Sequence, residues 1–365
     1  MKFNKVKLLN KFIVLLMVFA VFIFIKNKHS VVNINDITFT AETAINNARI
    51  ENKEIKVDID KTPPGQIADR DRLLKILDPK DSKSIFKIID IIGRDKNFNL
   101  NCHEVAHDIG HKAYELYGFS NSVNFTDESR IGHDSVQDIC AGGYIHGVLE
   151  EAFVSDEGFV KNINNACNDV NNKIKDSCRH GVGHALMYVY NRDYRRSMLG
   201  CANFETKNGK SRCYEGVWME LFWGVSIASS TVLEFDTEYP MQICKDTNQD
   251  AKASCFLYSS FGYLRKHKRD YIGVIKLCVD SNLKEDDTNF CVKGVGITMN
   301  SHFKGQSLER SEVYAKNIKN INKKAYYQGV FGFAKLTGID FENLKSSCEK
   351  FKNDREFCLD AINSI

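Results

Sequence analysis

The chain has 365 residues, 43% hydrophobic and 27% charged, with 50 basic against 47 acidic side chains and a net charge of +3. That is an ordinary globular composition, long enough to bury a sizeable core. The near-balanced charge and the lack of a basic run beyond the N-terminus give no sign of a nucleic-acid partner, and none is expected. Only four prolines occur, which favours helix throughout.

The N-terminus carries Lys2, Lys5, Lys7 and Lys11, then the apolar run Phe12–Ile25, closed by Lys26 and Lys28. A positive segment before an apolar one is an export signal. No small-residue cleavage site follows, so an uncleaved signal-anchor is expected over residues 8–26, in preference to a cleaved signal peptide. Residues 1–7 would then stay cytoplasmic and the bulk of the chain would be extracytoplasmic, tethered to the membrane. Residues 27–68 are polar, weakly periodic and contain Pro63 and Pro64, which reads as a stalk.

From Asp69 the pattern turns helical and stays so to residue 365. Leu73, Leu74, Ile76 and Leu77 precede Pro79, and Ile85–Ile92 form an apolar helix before Gly93. A repeat then sets in, headed by Cys102, Cys140, Cys178, Cys213, Cys255 and Cys291, at intervals of 38, 38, 35, 42 and 36 residues. Tyr326 heads a seventh copy in which tyrosine replaces cysteine. Spacings in this range mark stacked helical units. Glycine stands three positions after the head residue in five copies: Gly143, Gly181, Gly216, Gly294 and Gly329. Glycine weakens a helix by about 1 kcal/mol relative to alanine. Its recurrence therefore predicts neighbouring helices whose backbones pack closely.

The twelve cysteines suit an oxidising compartment. Most heads have a partner shortly upstream, which predicts Cys167–Cys178, Cys201–Cys213, Cys244–Cys255 and Cys278–Cys291, with Cys348–Cys358 at the end. Cys102 and Cys140 are left to each other by elimination. The CxxC spacing of cysteine-ligated zinc is absent. The expected fold is thus all-α: about seven disulfide-stapled helical hairpins over 69–365, stacked as a solenoid or closed into an α/α ring. In outline it resembles the cysteine-paired helix repeats of some secreted proteins, though the cysteine spacing differs and no function carries over.

Six of the ten histidines fall at the starts of three repeat helices: His103, His107, His111, His146, His180 and His184. His103/His107, His107/His111, His146/Glu150 and His180/His184 are four apart and share a helix face. Later copies put Phe261, Ile297 and Gly332 at the histidine positions, so the polar cluster belongs to the first four copies. His103-Glu-Val-Ala-His107 is similar to the zincin metalloprotease motif over five residues, with Glu104 in the place of the general base. The third histidine of the extended motif is replaced by Ala113. His111 lies about 12 Å along the helix from His103, too far to share one ion with it. A third ligand must come from another copy.

The expected site is a divalent metal, zinc among the candidates, held by His103, His107, His146, His180 and His184, with Glu104 or Glu150 as base. A capping and packing role for the same histidines stands beside it. The functional expectations are a metal-dependent extracytoplasmic hydrolase, a metal-capture protein, or a non-catalytic scaffold that presents a face to an envelope or extracellular protein or a glycan.

Overall fold

The computed structural model describes residues 70–85, 87–88, 91, 102–123, 142–168, 170, 172–223, 235–236, 238–303, 308–336 and 340–365. The anchor and stalk expectations and the Cys102–Cys140 pair lie outside the described residues. For residues 102–104 only the backbone is described. Among the described residues no helix is long and apolar enough to cross a membrane.

The architecture is all-α, with no strand among the described residues beyond one isolated bridge between Asp78 and Asp81. Eight helices form its spine: α1 (Cys102–Val123), α2 (Gly143–Ser155), α3 (Lys175–Val189), α4 (Lys207–Trp223), α5 (Gln249–Lys266), α6 (Glu285–Phe303), α7 (Asn320–Leu336) and α8 (Arg355–Ile362). Each packs chiefly on the spine helix before and after it. Shorter helices such as Tyr194–Ala202, Tyr271–Asp280 and Phe341–Cys348 lie between them. The run ahead of the repeats contributes Leu73, Leu77, Ile85 and Ile88, buried against Val105, Ala106, Ile109 and Ala113 of α1. The helical turn of α1 is interrupted at Gly118, whose φ of 71° only glycine adopts freely.

The five short-range disulfides form as the spacing predicts, with Cα–Cα distances of 5.5–5.9 Å. Helix boundaries differ from the expectation. Cys102 begins α1, but Cys178 stands three residues inside its helix, and Cys213, Cys255, Cys291 and Tyr326 each stand six residues inside. The preceding polar residues are compatible with helix and solvent, so the helix extends back to its cap. At α5 that cap is Asn248, whose side chain accepts from the Ala251 N–H. Each disulfide therefore ties the middle of a spine helix to the short element before it. In the seventh copy Tyr326 takes over this tie without a covalent bond: its buried hydroxyl reaches Ser311 O at 3.3 Å and Met299 Sδ at 3.1 Å.

Three of the recurrent glycines, Gly216, Gly294 and Gly329, mark direct backbone contact between spine helices, as does Gly147 outside that series, whereas Gly181 meets the side chains of Leu149 and His146. A Cβ on Gly147 of α2 would collide with the His107 carbonyl of α1. A Cβ on Gly216 of α4 would collide with the His180 carbonyl of α3. The same contact recurs between α5 and α6 at Gly294 and between α6 and α7 at Gly329. Only a hydrogen fits at such crossings. In the first four helices the backbone segments pressed together carry the histidines, so this packing converts sequence register into side-chain convergence.

Candidate metal centre

α1, α2 and α3 bring His107, His146, Glu150, His180 and His184 together, as the register predicts. All five are buried, His184 completely. The His146 ring stacks on His184 with centroids 4.3 Å apart, and lies 5.1 Å from His180 and 5.3 Å from His107. Two groups of converging ligand atoms result, each with its atoms within 4.8 Å of one another: His146, His180 and His184; and His107, His111 and Glu150. The side chains of His103 and Glu104 lie outside the described residues, so of the zincin-like stretch's chemistry-bearing residues only His107 is placed.

In the all-histidine group, His184 Nε2 stands 3.2 Å from His180 Nε2. Two imidazole nitrogens bound to one tetrahedral zinc at 2.0–2.1 Å are separated by about 3.3 Å. The far side of each ring faces a carboxylate. His184 Nδ1 lies 3.0 Å from Glu220 Oε2, so the carboxylate accepts a hydrogen bond from Nδ1–H and leaves Nε2 with its lone pair directed inward. His180 Nδ1 is 3.9 Å from Glu215 Oε2, beyond hydrogen-bond range, and is buried with no hydrogen-bond partner among the described residues. Without an ion, one of the two Nε2 atoms must carry the proton between them. An ion in its place sends the His180 proton to Nδ1, facing Glu215. Burial pushes the His180 imidazole down to about 4 despite Glu215, so it is neutral and able to ligate at neutral pH. A histidine whose outer nitrogen is held by a carboxylate is the usual supporting arrangement of a metal site.

Glu220 is itself fixed. Arg192 Nη1 donates to its Oε1 at 2.9 Å, and Arg192 Nη2 donates to its backbone carbonyl at 3.0 Å. Burial works against the Glu220 anion, but the His184 hydrogen bond and the Arg192 charge hold its pKa at about 2. Arg192 reaches α4 because Asn191 and Arg192 both take left-handed backbone angles, φ 49° and 66°, directly after α3. Lys268 and Arg269 repeat that turn after α5, with φ 42° and 74°. Asp193 and Asp270 then cap the following helices in the same way. The turn belongs to the repeat; the Glu220 contact belongs to this site. On the other flank, Glu215 is held by Arg212 and by the Tyr258 hydroxyl at 3.3 Å.

In the second group both histidines converge on one carboxylate oxygen. Glu150 Oε2 lies 3.1 Å from His107 Nδ1 and 2.9 Å from His111 Nε2, while His111 Nδ1 meets Glu151 Oε2 at 3.0 Å. Glu150 Oε1 is buried with no hydrogen-bond partner among the described residues. Burial opposes charge on His111, but Glu150 and Glu151 outweigh it and push the imidazole up to about 10. Burial likewise opposes the Glu150 anion, yet the charges and hydrogen bonds of His107 and His111 hold it well below the usual carboxylate range. At neutral pH a proton thus sits on His111 between two carboxylates, a position a cation can take over.

Past α4 the polar layer ends. Trp223 stacks on Phe261 at 4.7 Å where further histidines would stand. Sequence reasoning missed Glu220, Arg192 and Glu151 and set His111 aside. Glu220 follows Met219, which holds the register position, and only the rotation of α4 tells which of the two faces α3. Arg192 depends on a left-handed turn that its own sequence does not announce. His111 is remote from His103 along α1, but its partners Glu150 and Glu151 lie across the α1–α2 crossing. The buried His/Glu groups could hold a metal ion in a helical, disulfide-rich protein. Comparison with protein-family models, with curated proteins and with solved structures found nothing that matches this chain.

Proposed function

We propose that this chain is a metal-dependent hydrolase of an oxidising, extracytoplasmic compartment, with a zinc-class ion held by His146, His180 and His184. The observation that carries this reading is the 3.2 Å approach of two buried Nε2 atoms whose rings are backed by Glu220 and Glu215. Three histidine ligands leave a fourth position for water, and a bound ion lowers that water's pKa toward 7. Glu150 lies one turn after His146 on α2. With an ion bound there, Glu150 would be the carboxylate to take the water proton and return it to the leaving group as the scissile bond breaks. His111, Glu151 and Glu215 are the partly exposed members of the cluster, with side chains 22–25% accessible. Ligands as buried as His146 and His184 suit a small ester, amide or phosphate rather than a folded protein.

The five disulfides and the lysine-flanked N-terminal run support membrane tethering outside the cytoplasm. Packing of each spine helix chiefly on its chain neighbours supports a stacked helical array. The burial of His184 and His146 favours a second reading, in which the ion pins α2–α4 together without turnover and the stack serves as a scaffold for an envelope protein. The full chain, stripped with a chelator and reloaded with Zn2+, separates the two. Hydrolysis of nitrophenyl acetate or phosphate that His184→Ala abolishes supports the enzyme. Stoichiometric zinc without turnover above that of free Zn2+ supports the pin.

A further inference from the structure

We infer that the centre is dinuclear: a second divalent cation binds His107, His111 and Glu150, adjacent to the first. This rests on the His146/His180/His184 ion proposed above and adds a ligand set with its own chemistry.

Three observations carry it. First, the ligands are distributed over three successive helices with a regular pattern. α1 supplies the i,i+4 pair His107 and His111, α3 supplies the i,i+4 pair His180 and His184, and α2 between them supplies one residue to each group, His146 and Glu150, again four apart. Residues four apart on a helix have Cβ atoms about 5–6 Å from each other, so α2 sets the two groups side by side. Second, the groups touch. The His107 ring lies 5.3 Å from His146 and 6.0 Å from His184, centroid to centroid. No protein layer separates them, and two-metal sites have their ions about 3.5–4 Å apart. Third, the donor atoms are already collected. Glu150 Oε2 stands 2.9 and 3.1 Å from one nitrogen of each histidine. Ligand atoms on one ion with bonds of about 2.0–2.2 Å are spaced about 2.9–3.3 Å apart. Two neutral imidazoles and one carboxylate suit Zn2+, Mn2+, Fe2+ or Ni2+ rather than Ca2+ or Mg2+.

The two positions differ in charge. Three histidines leave the first ion with its full charge, balanced through Glu220 and Glu215 behind the rings. Glu150 partly neutralises the second ion directly, through Oε2, and keeps Oε1 for the water proton. A pair of this kind places the attacking water on one ion and the developing negative charge of the substrate oxygen on the other.

The test is Mn2+ stoichiometry and electron paramagnetic resonance of the full chain, purified with its disulfides intact and reloaded after chelation. The inference predicts two Mn2+ per chain with an exchange-coupled spectrum. Glu150→Gln and His111→Asn should each reduce this to one uncoupled ion and leave the remaining site filled. Should Glu150→Gln fail to give a cooperative melting transition, the partly exposed His111→Asn variant decides. One ion per chain in the unaltered protein, lost in His184→Ala, would overturn the second site and spare the first. Two ions without coupling would overturn the dinuclear arrangement. No bound ion would remove both.

Discussion

Replacing Glu220 with glutamine separates structural from metal-supporting roles within one residue. Glu220 is 1% exposed and joins Arg192 at 2.9 Å to His184 at 3.0 Å. The amide oxygen can still accept from Arg192, but its NH2 then meets His184 Nδ1–H, donor against donor. One charge-assisted hydrogen bond is lost, worth about 1.5–3 kcal/mol. That is less than the 3–5 kcal/mol expected when a buried ion pair loses a partner outright, because Arg192 keeps an acceptor. His184 also loses the group that fixes its tautomer and raises its basicity, and such losses weaken metal binding about 10–100-fold. At 1.4 kcal/mol per tenfold, the zinc-bound form should lose about 1.4–2.8 kcal/mol more than the metal-free form. Urea unfolding with excess chelator and with Zn2+, together with chelator-competition affinities, measures both quantities. Lower stability with an unchanged zinc affinity would show that Glu220 serves packing alone, and the argument from the backed histidines would fail.

Four further perturbations test the frame that holds the site. Serine at both Cys201 and Cys213, which close a separation of 12 residues, should lower stability by about 3 kcal/mol in urea; no change would refute the staple argument. Gly216→Ala puts a methyl group into the His180 carbonyl and should destabilise by about 1–3 kcal/mol and weaken zinc binding. Gly332→Ala meets nothing within 4 Å and should instead stabilise α7 by up to about 1 kcal/mol, so equal effects of the two substitutions in thermal melts would contradict the close-crossing account. Asp354→Asn breaks a buried contact with Lys323 at 2.7 Å and Tyr327 at 2.8 Å, far along the chain from the centre. It should lower the melting temperature while metal content per chain stays constant.

The outline of this molecule was readable because it repeats. Short cysteine separations in phase predicted five disulfides, and the head residue carried the register as far as Tyr326, where the bond itself is gone. The glycines announced close crossings, since nothing else explains a helix-weakening residue at a fixed place. What escaped depends on rotation and on loops. Periodicity identifies a helix face but not whether Met219 or Glu220 meets α3. Arg192 enters the site through two left-handed residues that any turn could have hidden. Spacing along α1 relates His111 only to its own helix, whereas its carboxylate partners are on α2. Helix starts were misplaced at the cysteines because chemistry marks the disulfide, whereas the cap residue marks the beginning.

The most direct test of the central claim is metal content per chain. The full-length protein, purified with disulfides intact, is compared with His184→Asn by mass spectrometry of bound metals after exhaustive dialysis. At least one zinc-class ion per chain is predicted for the unaltered protein, with the His146/His180/His184 ion lost in a variant that still folds. Metal-free protein that cannot be reloaded with Zn2+, or a His184→Asn variant that keeps its full metal content, would contradict the account.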